Sequence, residues 1–247
     1  MKKSLFVAAM LLGAMTMSAA PYQHSIGITA GGLNGVEYKG FLNDHLVIAA
    51  DLGVRLSQSQ GVTSTISFTN KDAQDVYEKY NGKLTQTNND VKFADWTFEG
   101  AVNVAYQGTI KDFSAGSLQW FAGGGMSIGM VQFVSWDKDA SPSVHDIWTA
   151  MKDARKAYND LSSKEQEYTM NPLNFKFGMN AYAGMEFAFS NVPLVLGFDF
   201  RPGLGMAING CKTDIVDPEK MADYECNMIV TNAFFDWSLG VTLRYCL

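Results

Sequence analysis

The sequence predicts an all-β protein: a closed antiparallel eight-stranded transmembrane β-barrel with long outer loops that carry one or two short helices. Three observations point there. The chain opens on an export signal. It alternates at period two in runs longer than soluble strands use. Its connections alternate between short and long.

The signal comes first. Lys2 and Lys3 form a positive start, Leu5 to Met15 an apolar stretch, and Thr16-Met17-Ser18-Ala19-Ala20 supply small residues for cleavage. That order reads as a secretory signal, too short to span a bilayer as a helix. Residues 1–20 are therefore expected to be a signal peptide and 21–247 the barrel. The chain holds 19 Lys and Arg against 25 Asp and Glu, a net charge of −6. An acidic chain offers no footprint for nucleic acid. After the signal, no stretch reaches the ~18 apolar residues of a membrane helix. Aromatics are 13% and glycines number 23, as an exported all-β chain would use them.

The strands follow from alternation. Leu46, Ile48, Ala50, Leu52, Val54 and Leu56 share one face, with Asp51 and Arg55 on the other. Phe175 to Phe189 sets apolar residues against Lys176, Gly178, Asn180, Tyr182, Gly184 and Glu186. Phe235, Trp237, Leu239, Val241, Leu243 and Tyr245 oppose Asp236, Ser238, Gly240, Thr242 and Arg244. Alternation of this kind marks strands with one apolar face. The lengths match the ~9–11 residues that a tilted strand needs to cross hydrocarbon. Weaker runs over Ser25–Ala30, Val36–Leu42, Asp95–Gln107, Leu118–Val131 and Leu194–Arg201 bring the total to eight.

Connections at Asn43–His45, Gly108–Ser117 and Ser190–Pro193 are short, whereas 57–94, 132–174 and 202–233 are long. Membrane barrels show that asymmetry, with short periplasmic turns and long outer loops. Only Gly31–Gly35, tight where an outer loop belongs, departs from it. Trp96, Tyr106, Trp120, Phe175, Phe189, Trp237 and Tyr245 lie toward strand ends, where interfacial girdles sit.

The polar faces carry Glu37, Lys39, Asp51, Arg55, Asp95, Glu99, Lys176, Glu186, Asp199, Arg201, Asp236 and Arg244. An eight-stranded barrel has an interior only wide enough for side chains. These charges are expected to pair there as a lumen network, because an unpaired buried charge is costly.

Evidence of chemistry is sparse. His24 and His45 fall at the periplasmic end, and His145 lies in a long loop without a nucleophile motif. No phosphate-binding loop, HExxH or CxxC is present. Asp137 with Asp139, and Asp214 with Asp217, lack the full calcium-loop pattern and read as solvated acids. No cofactor, metal or catalytic residue is assigned. Cys211 and Cys226 bracket 212–225 in the last long loop. Exported proteins live where disulfides persist, so a Cys211–Cys226 disulfide is expected, with two free thiols as the alternative. On the chain-entropy model it would contribute roughly 3 kcal/mol. Cys246 is left over and is expected to be free. In the second long loop, Val144, Ile147, Trp148, Met151 and Tyr158 follow helical spacing, as Asp72–Tyr80 does more briefly. That stripe packs on the barrel rim or forms a face for an external ligand or protein; both readings stay open.

The order of signal peptide, Gly35-Val36-Glu37-Tyr38-Lys39-Gly40-Phe41-Leu42 running into Leu46–Arg55, and a last strand Trp237–Tyr245 resembles the small outer-membrane β-barrel domain family of OmpX-like and OmpA N-terminal-like barrels. The resemblance spans 21–247 and implies a Gram-negative outer membrane as location. It implies outer-membrane lipid, periplasmic chaperones and the barrel-assembly machinery as partners. Such barrels end on an aromatic residue, whereas here Cys246 and Leu247 follow Tyr245. The function expected is a non-enzymatic structural or surface-interaction scaffold, with a charge-filled closed lumen. A small-solute channel, a secretion-accessory barrel and, least of all, a lipid-modifying enzyme are the alternatives.

Overall fold

The computed structural model describes residues 22–88, 91–137, 140 and 142–247, with side chains for all of these except 56–61, 91–95 and 137. The expected signal peptide, 1–20, lies outside the described residues.

Strands β1 (His24–Gly31), β2 (Leu33–Phe41), β3 (Leu46–Phe68), β5 (Val91–Phe113), β6 (Gly116–Asp137), β7 (Leu173–Phe189), β8 (Leu194–Asp217) and β9 (Ala222–Cys246) form a ring. Each pairs antiparallel with the next in chain order, and β9 closes the ring on β1. A short strand, β4 (Thr85–Asn88), lies along β3 opposite Val62–Thr65. Helices α1 (Lys71–Asn81), α2 (Val144–Asn159) and α3 (Ser163–Tyr168) all fall at one end. Among the described residues no helix is long and apolar enough to cross a membrane.

The ring's two ends differ. The tight connections 42–45, 114–115 and 190–193 and both described termini gather at the turn end. There Asn43 Oδ1 accepts from the His45 and Leu46 amides, and the Leu247 amide donates to His24 O at 2.9 Å. The other end carries the helices. The β1–β2 hairpin turns at Gly31, whose φ of 104° favours glycine, and stops short of that end. Beyond it β3 pairs directly with β9, Thr63–Phe68 against Met228–Ala233, across an irregularity between Gln60 and Thr63.

The three stretches expected as long loops are more ordered than that. Strand β3 runs on to Phe68, and β6 to Asp137. The stretch 202–233 is a hairpin: β8 and β9 pair continuously out to Asp217↔Ala222, around a tight turn with Met221 at φ 51°. Alternation marks a strand only where its two faces meet different media. Beyond Ile208 both faces carry polar side chains, so the pattern fades while the backbone ladder continues. Strand β5 likewise continues to Phe113, which shortens the connection expected over Gly108–Ser117 to Ser114–Ala115.

Side chains alternate between ring interior and ring exterior. On β9 the outward Phe235, Trp237, Leu239, Val241, Leu243 and Tyr245 are 45–55% exposed. The inward Asp236, Ser238, Thr242 and Arg244 are 1–7% exposed. The apolar belt continues through Ile26 and Ile28, Leu52, Phe98 and Val102, Met126 to Met130, Phe175 to Met179, and Leu196 to Phe200. Apolar side chains close the interior at both ends. Tyr22, Ala188 and Val195 pack with Phe41 at the turn end, and Val62, Val131, Ala207 and Phe234 with Phe133 at the helix end.

Candidate functional site

Between those apolar layers the interior is ionic. Eleven of the twelve charged residues read onto the polar faces are buried there, and all eleven are ion-paired; the Asp95 side chain lies outside the described residues. They form two clusters, in which every charged side chain is 6% exposed or less.

The turn-end cluster is a chain. Lys39 Nζ reaches Glu186 at 2.8 Å, and Arg244 bridges Glu186 to Glu37. Arg201 continues it, to Glu37 at 3.0 Å, Asp51 at 2.8 Å and Asp199 at 2.7 Å. Lys39 stands 4.0 Å over the Phe121 ring and Arg201 4.8 Å over Tyr182, so aromatic faces complete the cations' surroundings. The helix-end cluster is a closed square. Arg55 pairs with Glu99 at 2.5 Å and Asp236 at 3.1 Å, and Lys176 pairs with the same two acids at 3.0 Å each.

Neutral groups add hydrogen bonds to the turn-end cluster, while among the described residues Arg55 Nε and Arg244 Nε stay without a hydrogen-bond partner. Tyr22 and Gln107 both donate to Glu186, Asn103 donates to Asp51 at 3.2 Å, and Asn180 donates to Asn103 at 2.9 Å. The sequence reading did not single these out. Asn103 and Gln107 carry a usable signal, since they share the parity of Glu99 on β5. Tyr22 precedes its strand and carries none. Glycine supplies the floor: a Cβ at Gly240 would stand 2.8 Å from Asp199 Oδ2, where the Arg201-bound carboxylate sits.

Elsewhere the expected sites disperse. Cys211 and Cys226 are free thiols, which corrects the expected disulfide. Register explains it: Cys226 faces Thr213 and Cys211 faces Met228, so the two are diagonal neighbours. Diagonal residues stand about 7–8 Å apart, beyond comfortable disulfide reach. Burial pushes both thiols above the ordinary cysteine value, and Asp214 pushes Cys226 further. Cys246 is also free. His24 bonds Tyr38 at 2.8 Å, His45 lies against Tyr106, and His145 lies in the first turn of α2. Among the described residues no group of His, Cys, Asp and Glu is arranged to hold a metal.

The stripe over Val144–Tyr158 divides. Met151 is buried against the ring's outer wall, where Gln132 Nε2 donates to its carbonyl at 2.8 Å. Val144 and Trp148 are exposed, and Ile147 and Tyr158 half-buried. Helix α2 starts because Ser143 and Asp146 form a reciprocal capping box, and α3 repeats the device with Ser162 and Glu165. The hydrogen bonds from Ser143 hold the Asp146 carboxyl below its usual range, and those from Ser162 do the same for Glu165. Helix α1 buries Ala73 and Val76, and ties to the β8–β9 turn through Lys79–Glu219 at 2.6 Å.

Compared with known proteins, the chain matches no family model and no curated protein.

Proposed function

We propose that this chain is an outer-membrane β-barrel of the OmpX-like and OmpA N-terminal-like kind, a closed scaffold exported by residues 1–20 to a Gram-negative surface. The observation that carries the reading is the inside-out distribution of side chains. Water-soluble chains bury apolar residues and expose charge. Here charge is buried in the ring, and a continuous apolar belt faces outward. Phe235 to Tyr245 spans about 33 Å of strand, or roughly 25 Å along the axis at a tilt of about 40°. An outer-membrane belt is about that tall.

A closed scaffold is favoured over a small-solute channel because the interior ion pairs leave their side chains almost no solvent contact. The elements beyond the belt, α1 to α3 and the β8–β9 hairpin, are then what it presents to an extracellular ligand or protein. Outer-membrane lipid, periplasmic chaperones and the barrel-assembly machinery are its implied partners. Expression with the native leader should place the protein in the outer-membrane fraction, with a mobility that shifts on boiling. Recovery as a soluble periplasmic protein would overturn the reading. In planar bilayers the purified protein should show no discrete unit conductance; steady unit currents would overturn the closed interior.

A further inference from the structure

Outside the ring, between α2 and the wall of β5 and β6, lies a cleft of about 460 Å³. Its wall is Trp96 and Gln132, directly paired across β5 and β6. Its helix side is Trp148, Met151, Lys152, Arg155, Lys156 and the Asn159–Asp160 end. We propose that this cleft binds the phosphorylated headgroup of an outer-leaflet lipid whose acyl chains lie on the apolar belt. The proposal rests on the membrane reading above.

Position is the first argument. The next outward pair on the same two strands, one step toward the turn end, is Phe98↔Met130, both exposed and both in the belt. The cleft therefore sits where hydrocarbon gives way to headgroups, with two tryptophans of the kind that favour that boundary. Charge is the second. Lys152, Arg155 and Lys156 fall at i, i+3 and i+4, one face of one helix, in a chain that is net acidic. Like charges so spaced repel and weaken the helix. Among the described residues neither lysine has an ion-pair partner, and Asp160 at the cleft's far end makes no ion pair with them. Arg155 is pre-positioned: it donates to Asn171 Oδ1 at 2.6 Å and lies over Tyr158 at 5.6 Å. Its other guanidinium nitrogens remain available for the paired donation that phosphate oxygens accept. A cationic, aromatic-lined recess continuous with an apolar surface fits a ligand that is anionic at one end and apolar at the other.

The test uses the full mature protein in non-ionic detergent, with native mass spectrometry counting retained lipid. The probes are bis-phosphorylated lipid A, dephosphorylated lipid A and inorganic phosphate. Wild type should retain the phosphorylated lipid at least tenfold better than the dephosphorylated one. Lys152→Gln/Arg155→Gln/Lys156→Gln should lose that preference while keeping its heat-modifiable mobility. Should the triple variant fail to fold, Lys152→Gln and Lys156→Gln alone should each weaken retention severalfold. Equal retention of both lipids by wild type, or undiminished preference in the variants, overturns the proposal. So does phosphate displacing no lipid while binding equally well to wild type and variant. Wild-type protein that inserts and shifts on heating yet shows no lipid preference sinks this proposal alone. Protein that does not insert sinks both this proposal and the membrane reading.

Discussion

The two interior clusters use the same residue types in different connectivities. At the helix end each acid is held by both bases, so Arg55, Glu99, Lys176 and Asp236 close a square. At the turn end the pairs run as a chain, and among the described residues Arg201 is the only ion-pair partner of Asp51 and Asp199. The connectivity of a buried ionic network, more than its number of pairs, decides what one deletion leaves stranded. A square losing one corner leaves every remaining charge paired. A chain losing its branch point orphans two carboxylates, and burying an uncompensated charge is the expensive outcome.

The largest expected effect tests that difference directly. Arg201→Met should destabilise the refolded protein by about 3–5 kcal/mol in urea unfolding from lipid vesicles. Adding Asp51→Asn and Asp199→Asn should recover more than half of it, since the orphaned charges are then gone. Lys176→Met should cost less, roughly 2 kcal/mol, because Arg55 still holds both Glu99 and Asp236. Equal losses for the two single variants would break the comparison. Gly205→Ala sharpens it by perturbing the helix-end region through shape alone. A Cβ there would overlap the buried Phe234 ring that lies beneath Lys176. Overpacking of this kind costs about 1–3 kcal/mol, and the urea midpoint should fall without any change in salt dependence.

The smallest effect lies outside the ring. Asp146 has a folded value depressed below the ordinary 3.8. Its contribution to the first turn of α2 is therefore fully present above that ordinary value and is lost as pH falls through the depressed one. Hydrogen-exchange protection of the first-turn amides, corrected for intrinsic rate, should fall over that acid window. In Asp146→Asn it should stay flat, and the ring should be untouched in both.

Much of the fold was legible because period two is unambiguous where one side is apolar and the other ionic. The runs around Leu46–Arg55, Phe175–Phe189 and Phe235–Tyr245 identified strands, faces and interior charges together. Legibility stopped where the contrast stopped. The outer halves of β8 and β9 mix polar and apolar side chains on both faces, so a paired hairpin read as a loop, and a hairpin register then placed Cys211 and Cys226 diagonally. Helix α2 was readable from Val144, Ile147, Trp148 and Met151, but the side of the ring on which it docks was not. The cleft with Lys152, Arg155 and Lys156 depends on that docking.

Along the strand segments that form the belt, the sequence by itself determined which residues face inward and which outward, because side-chain parity along a strand is a local property of the backbone. It also determined that the hidden face is charged. Only the tertiary structure decided which charge meets which. Pairs such as Arg244 with Glu37 and Arg201 with Asp51 join strands far apart in the chain, and their partnership depends on the stagger with which the ring closes. That stagger is a property of all eight strands at once, and no local stretch of sequence encodes it.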